Sequence, residues 1–381
     1  MTTQPAPLQD MGPSERERAI AGAADALRAA RLVVMPTETV YGLFASAASD
    51  DALAALASAT GADWTPGAAR AHPAFVWHAP DAAFVRDHLD LPTPVARRLL
   101  TKLAPGPVRF EIEQPEPRLA ALRTELGVPA GVIDAGGVLA VRVPDHPVAR
   151  RVLRDAAVPA VAQSVAAASW ASPGAGRTPG AIPTHADDPL PAAVLDDGPT
   201  TFGVMSTKIT LRLDGGFDVD DAGAIDEQRV LAHLERTILF VCTGNTCRSP
   251  MAEALARALL ATRGFNGITT RVASAGVAAG RAVPASEHAV DAMRERGIDL
   301  SAHRSRPLTP AMVRDAEIIY TMTPSHAEAV MTLAPDHAAK VFPLDPRGLI
   351  DDPVGHPLDV YRATAQRLEE LIRARLEELT V

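Results

Sequence analysis

Thiols are scarce in this chain of 381 residues: Cys242 and Cys247 are the only two. That excludes a disulfide framework and a cysteine-rich zinc site, and it suits a reducing compartment, where thiols persist. Aromatic residues make up only 4% of a chain that is 47% hydrophobic, so its cores are aliphatic and rich in alanine. Trp64, Trp77 and Trp170 stand singly and read as packing residues rather than base-stacking platforms. There is no basic excess, the formal net charge being −9, so the chain as a whole does not attract nucleic acid. The first twenty residues contain no apolar segment of signal-peptide type. No run of 18 uninterrupted apolar residues occurs, so no membrane span is expected and a soluble cytoplasmic protein is the default. G-x4-G-K-[ST], H-E-x2-H and G-x-S-x-G are all missing, and the 11 histidines are scattered without ligand spacing. Neither a metal nor a cofactor is expected.

What is present is abundant proline, 33 residues, punctuating alternating helical and strand-like segments. Residues 1–13 read as a disordered tail. Ser14 and Glu17 suggest a capping box opening a helix to about Arg31. Strand candidates follow at Leu32–Met35, Phe75–His78, Val108–Ile112, Gly137–Val143, Ala160–Gln163 and Lys208–Leu213, with Pro/Gly-rich turns at Ala104–Pro107 and Ser172–Pro183. A linker helix at 226–235 separates this region, 14–225, from a second, 236–381. The second begins with the apolar strand Thr237–Val241. Helices are expected at Ser249–Arg263, Ser286–Arg296, from Ser325 and at Pro357–Leu379, with strands at Thr270–Ser274, Glu317–Met322 and Val341–Leu344. In the last helix Tyr361, Leu368, Leu371, Ile372 and Leu376 recur at helical spacing. Such alternation implies α/β domains, with a parallel sheet covered on both faces in the second region.

The sharpest motif is Cys242-Thr243-Gly244-Asn245-Thr246-Cys247-Arg248-Ser249-Pro250. It lies between a buried strand and a helix whose first turn tolerates proline. Ligands in open α/β sheets bind beyond the carboxyl ends of the strands. Loop amides and a helix N-terminus there form an anion site, and Arg248 can add a bidentate grip on phosphate oxygens. Cysteines beside cations or helix N-termini ionise readily, which makes Cys242 a candidate nucleophile against a bound phosphoryl group. The paired Asp351-Asp352 supplies a candidate proton donor for the leaving atom.

The C-x5-R loop resembles the signature of the low-molecular-weight protein phosphatases, and the likeness extends over about 236–381. Val272-Ala273-Ser274-Ala275-Gly276, Gly297-Ile298-Asp299 with His303, and Asp351-Asp352-Pro353 resemble further segments of that family. The resemblance implies a Rossmann-like fold and a set of roles. Cys242 becomes phosphocysteine, and Arg248 with the loop residues Thr243, Gly244, Asn245, Thr246 and Cys247 holds the phosphoryl oxygens. Ser249 bonds the thiolate, Ser274 and His303 brace Asn245, and Asp352, beside the proline, serves as acid and then base. Cys247 is either a trap for oxidised Cys242 or a packing residue. Thr246 stands where tyrosine phosphatases carry a branched aliphatic residue. Pro353-Val354-Gly355-His356 contains no aromatic to flank a phenol. The run Thr243–Glu253 is similar to the protein-arginine phosphatase branch, and the missing aromatic weakens the phosphotyrosine reading, so phosphoarginine proteins are the expected substrates, with phosphotyrosine proteins second. Arsenate reductases share a similar loop, but their thioredoxin-coupled form needs further cysteines that this chain lacks.

Upstream, Pro36-Thr37-Glu38-Thr39-Val40-Tyr41-Gly42, Ala104-Pro105-Gly106-Pro107, Val141-Arg142-Val143-Pro144-Asp145-His146-Pro147 and Ser206-Thr207 resemble the YrdC-like threonylcarbamoyl-adenylate synthases over about 15–225. The likeness implies an α/β domain with a twisted mixed sheet, a nucleotide, threonine or tRNA-related ligand, and double-stranded RNA binding. Thr37, Arg142 and Ser164 are its candidate ligand residues. The family's Lys-x-Arg element is absent from Ser58–Pro66, its Ser-Ala-Asn reads Ser164-Val165-Ala166, and Val108-Arg109-Phe110 replaces its threonine after Pro-Gly-Pro. The expected role is a non-catalytic binding module; the alternative is an active synthase in a bifunctional protein.

Overall fold

The computed structural model describes every residue except 1, 4–5, 92, 169–175, 180–181, 184–188, 222, 263–266 and 380–381. Trp170, the Arg263 end of an expected helix and half of the expected Ser172–Pro183 loop lie outside the described residues. The chain divides into two compact units, Met1–His233 and Leu234–Val381.

The first unit is built on a mixed sheet. Its strands run in the order Ala193–Val194, Val33–Met35, Gly42–Ser46, Ala160–Ser164, Val76–His78, Val138–Arg142, Val108–Glu113, Thr207–Leu211 and Phe217–Asp221, with Asp134–Ala135 paired to the side of Val138–Arg142. Helices Pro13–Arg28 and Pro147–Ala156 cover one end of the sheet, where Ile20, Leu27, Val148, Val152 and Leu153 meet Val33, Met35 and Phe44. Strand Val108–Glu113 alternates buried with half-buried residues, as a sheet with one covered face requires. The far edge strand, Phe217–Asp221, reads FDVDD and, among the described residues, pairs only with Thr207–Leu211.

Two expectations are corrected here. The described part of the expected tail, residues 1–13, is not structureless: Leu8–Asp10 forms a 3-10 turn, and Leu8 is buried in the same core as Ile20 and Leu27. A single leucine among polar residues carries no period, which is why it was unreadable in sequence. Ser14 does not cap the first helix. The helix starts two residues earlier, with Pro13 as its first residue and Gly12 at the cap, making no side-chain bond. Proline's fixed φ suits that position, and it moves the start ahead of the serine.

The second unit has four strands in the order Thr269–Gly276, Glu235–Cys242, Ile318–Thr321 and Val341–Pro343, all parallel. Side chains of the Glu235–Cys242 strand alternate between two cores. Ile238, Phe240 and Cys242 join Met251, Leu255, Met293, Leu368 and Ile372 from helices Arg248–Thr262, Glu287–Arg294 and Leu358–Glu378. Leu239 and Val241 join Val313 and Val330 from helices Pro310–Asp315 and Pro324–Leu333. Cys242 therefore ends an interior strand, with its sulfur on the face covered by the helix that its own loop begins. Tyr361, Leu368, Leu371, Ile372 and Leu376 are all buried on the final helix. Among the described residues, no helix is long and apolar enough to cross a membrane.

Candidate functional site

The loop 243–247 turns between strand Glu235–Cys242 and helix Arg248–Thr262. The turn needs Asn245 in the left-handed region, φ 55°, a conformation that asparagine tolerates better than most residues. The Asn245 side chain is fully buried and fully used. Its amide donates to Ser249 Oγ at 2.9 Å and to Ser274 Oγ at 2.8 Å, while its Oδ1 accepts from the Arg306 amide at 2.9 Å. His303 Nε2 donates to the Asn245 carbonyl at 2.8 Å. Since a carbonyl only accepts, that contact fixes the imidazole tautomer.

Cys242 Sγ lies 2.9 Å from Ser249 Oγ and 3.3 Å from the Asn245 amide nitrogen, which donates to it. Two hydrogen bonds thus converge on one buried sulfur. Arg248 is buried; its Nη1 donates to the Ile350 carbonyl at 2.9 Å, its Nη2 pairs with Asp352 Oδ2, and its Nε is buried without a protein partner. Asp352 is much more open than the arginine, its side chain 44% exposed against 5%. Cys247 is free and buried, within 3.3 Å of Ser286 Oγ and 3.5 Å of the Tyr361 hydroxyl. Thr246 Oγ1 lies 3.6 Å from Cys247 Sγ. The Tyr361 phenol is held above its ordinary pKa, chiefly by burial.

The structure brings together Cys242, Arg248, Asp352, Asn245, Ser249, Ser274 and His303. It also adds four groups to which the sequence reading gave no role. Glu253 accepts the Ser274 hydroxyl at 2.5 Å and pairs with Arg257, so the relay from Cys242 through Ser249, Asn245 and Ser274 ends on a buried carboxylate. Its place one helical turn beyond Ser249 was the available signal. Gly276 faces the loop so closely that a Cβ there would lie 2.5 Å from the Thr243 carbonyl oxygen. Arg306 donates its Nε to the Ser274 carbonyl at 2.9 Å. His326 lies between Thr243 Oγ1 at 2.9 Å and Thr323 Oγ1 at 2.8 Å. Burial first, then the Arg248 charge, pushes its pKa down to about 4, against an opposing pull from Asp352, so it is neutral at pH 7. Nothing in a single sequence pairs residues this far apart. Among the described residues, no group of three or more His, Cys, Asp or Glu is placed to hold a metal ion.

In the first unit, Thr37, Arg142 and Ser164 line one cavity of about 130 Å³, together with Phe44, Phe75, His78, Arg109, Glu111 and Ser206. Arg142 is buried and donates through Nη2 to Glu38 at 2.7 Å and Thr39 Oγ1 at 2.7 Å, with Thr37 Oγ1 at 3.4 Å. Burial and the Arg142 charge push His78 down to about 3. Arg70, the nearest cation after the stretch lacking Lys-x-Arg, pairs with Asp63 at 3.2 Å and lies over the Trp64 ring.

A buried thiol on a strand–loop–helix turn, an arginine closing that loop and a carboxylate on the arginine define a cysteine-dependent phosphatase. The chain belongs to two families: the low molecular weight phosphotyrosine protein phosphatases through residues 237–381, and the YrdC-like family, whose model is described as telomere recombination, through residues 25–216. A protein-arginine-phosphatase of Bacillus subtilis is 40% identical over 147 residues, covering 37% of this chain and 95% of that protein. A low molecular weight protein tyrosine phosphatase structure from T. tengcongensis is 38% identical, covering 38% of this chain and 99% of that one, with a TM-score of 0.36. The threonylcarbamoyl-AMP synthase of B. subtilis is 32% identical over 198 residues; the match covers 52% of this chain and about half, 51%, of that protein.

Proposed function

We propose that the second unit hydrolyses phosphorylated protein side chains through a phosphocysteine on Cys242, with phosphoarginine preferred over phosphotyrosine. The observation that carries the reading is the Cys242 sulfur held by Ser249 and Asn245 beside a buried arginine with an unpartnered Nε. In the first step the sulfur attacks phosphorus. The S–P bond forms, the P–N bond of phosphoarginine or the P–O bond of phosphotyrosine breaks, and the leaving atom takes a proton from the Asp352 carboxyl. In the second step Asp352, now a carboxylate, takes a proton from water. The water oxygen bonds to phosphorus, and the S–P bond returns its electrons to Cys242. Arg248 and the loop 243–247 hold the phosphoryl oxygens in both steps, and Ser249 donates to the thiolate that each step uses or regenerates. Neutral His326 holds the Thr243 hydroxyl at the loop's start.

The preference for phosphoarginine rests on Thr246, whose small polar side chain leaves room for a planar guanidinium, on the absence of an aromatic after Asp352, and on likeness to an arginine phosphatase. Turnover of phosphoarginine and phosphotyrosine peptides by the full chain tests it, with Cys242→Ser as control. Faster phosphoarginine turnover, lost in Cys242→Ser and shifted toward phosphotyrosine by Thr246→Ile, is expected. Faster phosphotyrosine turnover by the unaltered chain refutes the substrate assignment.

For the first unit we infer a binding module rather than a synthase. Arg70, the nearest cation to the missing Lys-x-Arg, is already spent on Asp63 and Trp64. Each charge-assisted bond to a nucleotide phosphate that is lost costs about 1.5–3 kcal/mol. ATP consumption dependent on threonine and bicarbonate, measured on the full chain, would refute this. Two free thiols favour a cytoplasmic setting.

A further inference from the structure

Four basic side chains form one rung across the sheet of the first unit. His78 pairs in register with Arg142, Arg142 with Arg109, and Arg109 with Lys208, on four neighbouring strands. Residues directly opposite one another point to the same side of a sheet, and the like charges of Arg142, Arg109 and Lys208, beside a neutral His78, repel. The rung is only partly compensated. Glu38 and Thr39 engage one terminal nitrogen of Arg142. Glu111 engages one terminal nitrogen of Arg109 at 3.3 Å and approaches Lys208 at 3.8 Å, and Asp220 approaches Lys208 at 3.7 Å. The Nε groups of both Arg142 and Arg109 are buried with no protein partner. Buried charged donors rarely stay unpaired, and those that do call for an explanation.

Both arginines line the 130 Å³ cavity, with the hydroxyls of Thr37, Ser164 and Ser206 around it. Two adjacent guanidinium groups, each with a spare donor, suit one compact acceptor with several oxygens. A monocarboxylate would engage one guanidinium well, whereas a tetrahedral dianion can engage both. The cavity holds a group of a few heavy atoms.

We propose that this cavity is a binding site for a small tetrahedral oxyanion, inorganic phosphate being the member tested, with Arg109 and Arg142 as its principal donors. The proposal deepens the reading of the first unit as a binding module. Phosphate is also the product of the reaction proposed for Cys242, so the same chain releases the ligand.

The test is equilibrium dialysis of phosphate against the full chain carrying Arg248→Ala, which disables the phosphoryl grip of the second unit. The expected result is one phosphate bound per chain, displaced by sulfate and not by threonine. Arg109→Thr, at a half-buried position, should then weaken it about tenfold or more, the low end for a charge-assisted bond. Arg109→Gln, which keeps more of the packing, should do the same with an unchanged thermal midpoint. No saturable uptake by the Arg248→Ala chain overturns the proposal, and so does uptake indifferent to Arg109. Threonine binding that displaces phosphate overturns it in favour of an amino-acid pocket. Synthase turnover of the full chain is measured separately. Turnover with phosphate uptake still lost in Arg109→Thr refutes only the non-catalytic reading, while turnover with uptake indifferent to Arg109 refutes both.

Discussion

Replacing Asp352 by asparagine should move catalysis and anion binding in opposite directions. Asparagine keeps the volume and, having one acceptor oxygen in place of two, can accept either from Arg248 Nη2 or from the Val354 amide, which Asp352 Oδ1 accepts at 3.3 Å. It cannot donate and recover a proton, so kcat on a phosphoarginine peptide should fall by about 10²–10⁴, the usual contribution of a general acid. Binding should respond differently. The Asp352 carboxylate engages the Arg248 guanidinium, and an incoming phosphoryl group must displace it against its negative charge. With one partner 44% exposed and the other buried, the pair belongs nearer the surface class than the buried one. Its competition is worth about 1 kcal/mol, the top of the surface range. The competitive inhibition constant for phosphate should therefore tighten roughly fivefold in Asp352→Asn. The assay is initial-rate kinetics with phosphate as inhibitor, at one ionic strength, alongside Asp351→Asn. Exposed Asp351 should change kcat less than about twofold, as surface substitutions usually do. A large loss in Asp351→Asn with a small one in Asp352→Asn would refute the acid assignment. Weaker phosphate inhibition in Asp352→Asn would refute the competition argument.

Three further outcomes follow from the same geometry. Asn245→Ala removes three side-chain hydrogen bonds and puts alanine at φ 55°; urea unfolding of the second unit should show a loss of about 3–5 kcal/mol, and Asn245→Gly should recover part of it. Gly276→Ala forces a Cβ against the Thr243 carbonyl at 2.5 Å; a stability cost of about 1–3 kcal/mol, with a larger relative fall in turnover than in melting temperature, is expected. Burial first, then the Arg142 charge, pushes His78 down to about 3 from the ordinary 6.5. The unfolded state therefore binds the proton first as pH falls, and the stability present above pH 6.5 is lost toward pH 3. Between pH 7 and 5 the first unit should lose about 2 kcal/mol from this group, a slope that is absent in His78→Gln.

The catalytic loop was legible because everything it needs is local. An apolar strand, a glycine–asparagine turn, a closing arginine and Ser-Pro lie within a dozen residues, and the alternation of Ile238, Phe240 and Cys242 with Leu239 and Val241 sets the side on which the sulfur emerges. Ser274 and His303 came only through family resemblance. What stayed hidden depends on separation. His326 reaches Thr243 across 83 positions, and Arg306 reaches Asn245 across 61. Arg109 was noticed as a departure, but its meaning depends on strand register, which puts it beside Arg142 and which no pattern of hydrophobicity encodes. The first helix shows the same limit at short range: Pro13 and Ser14 both signal a start, and only the folded chain decides between them.

The far edge of the long sheet bears on how this protein survives at high concentration. Among the described residues no strand pairs with the outer side of Phe217–Asp221, and such edges invite other chains to add strands. Its aspartates act as gatekeepers: Asp220 is paired with Lys208 on the neighbouring strand and Asp218 with Arg212 just past that strand's end, so a docking strand would have to bury those carboxylates or pull them from their partners. The acidic edge thus keeps a many-stranded sheet from templating its own aggregation. Replacing Asp218 and Asp220 by asparagine, which removes that charge, should lower the concentration at which the chain stays in solution.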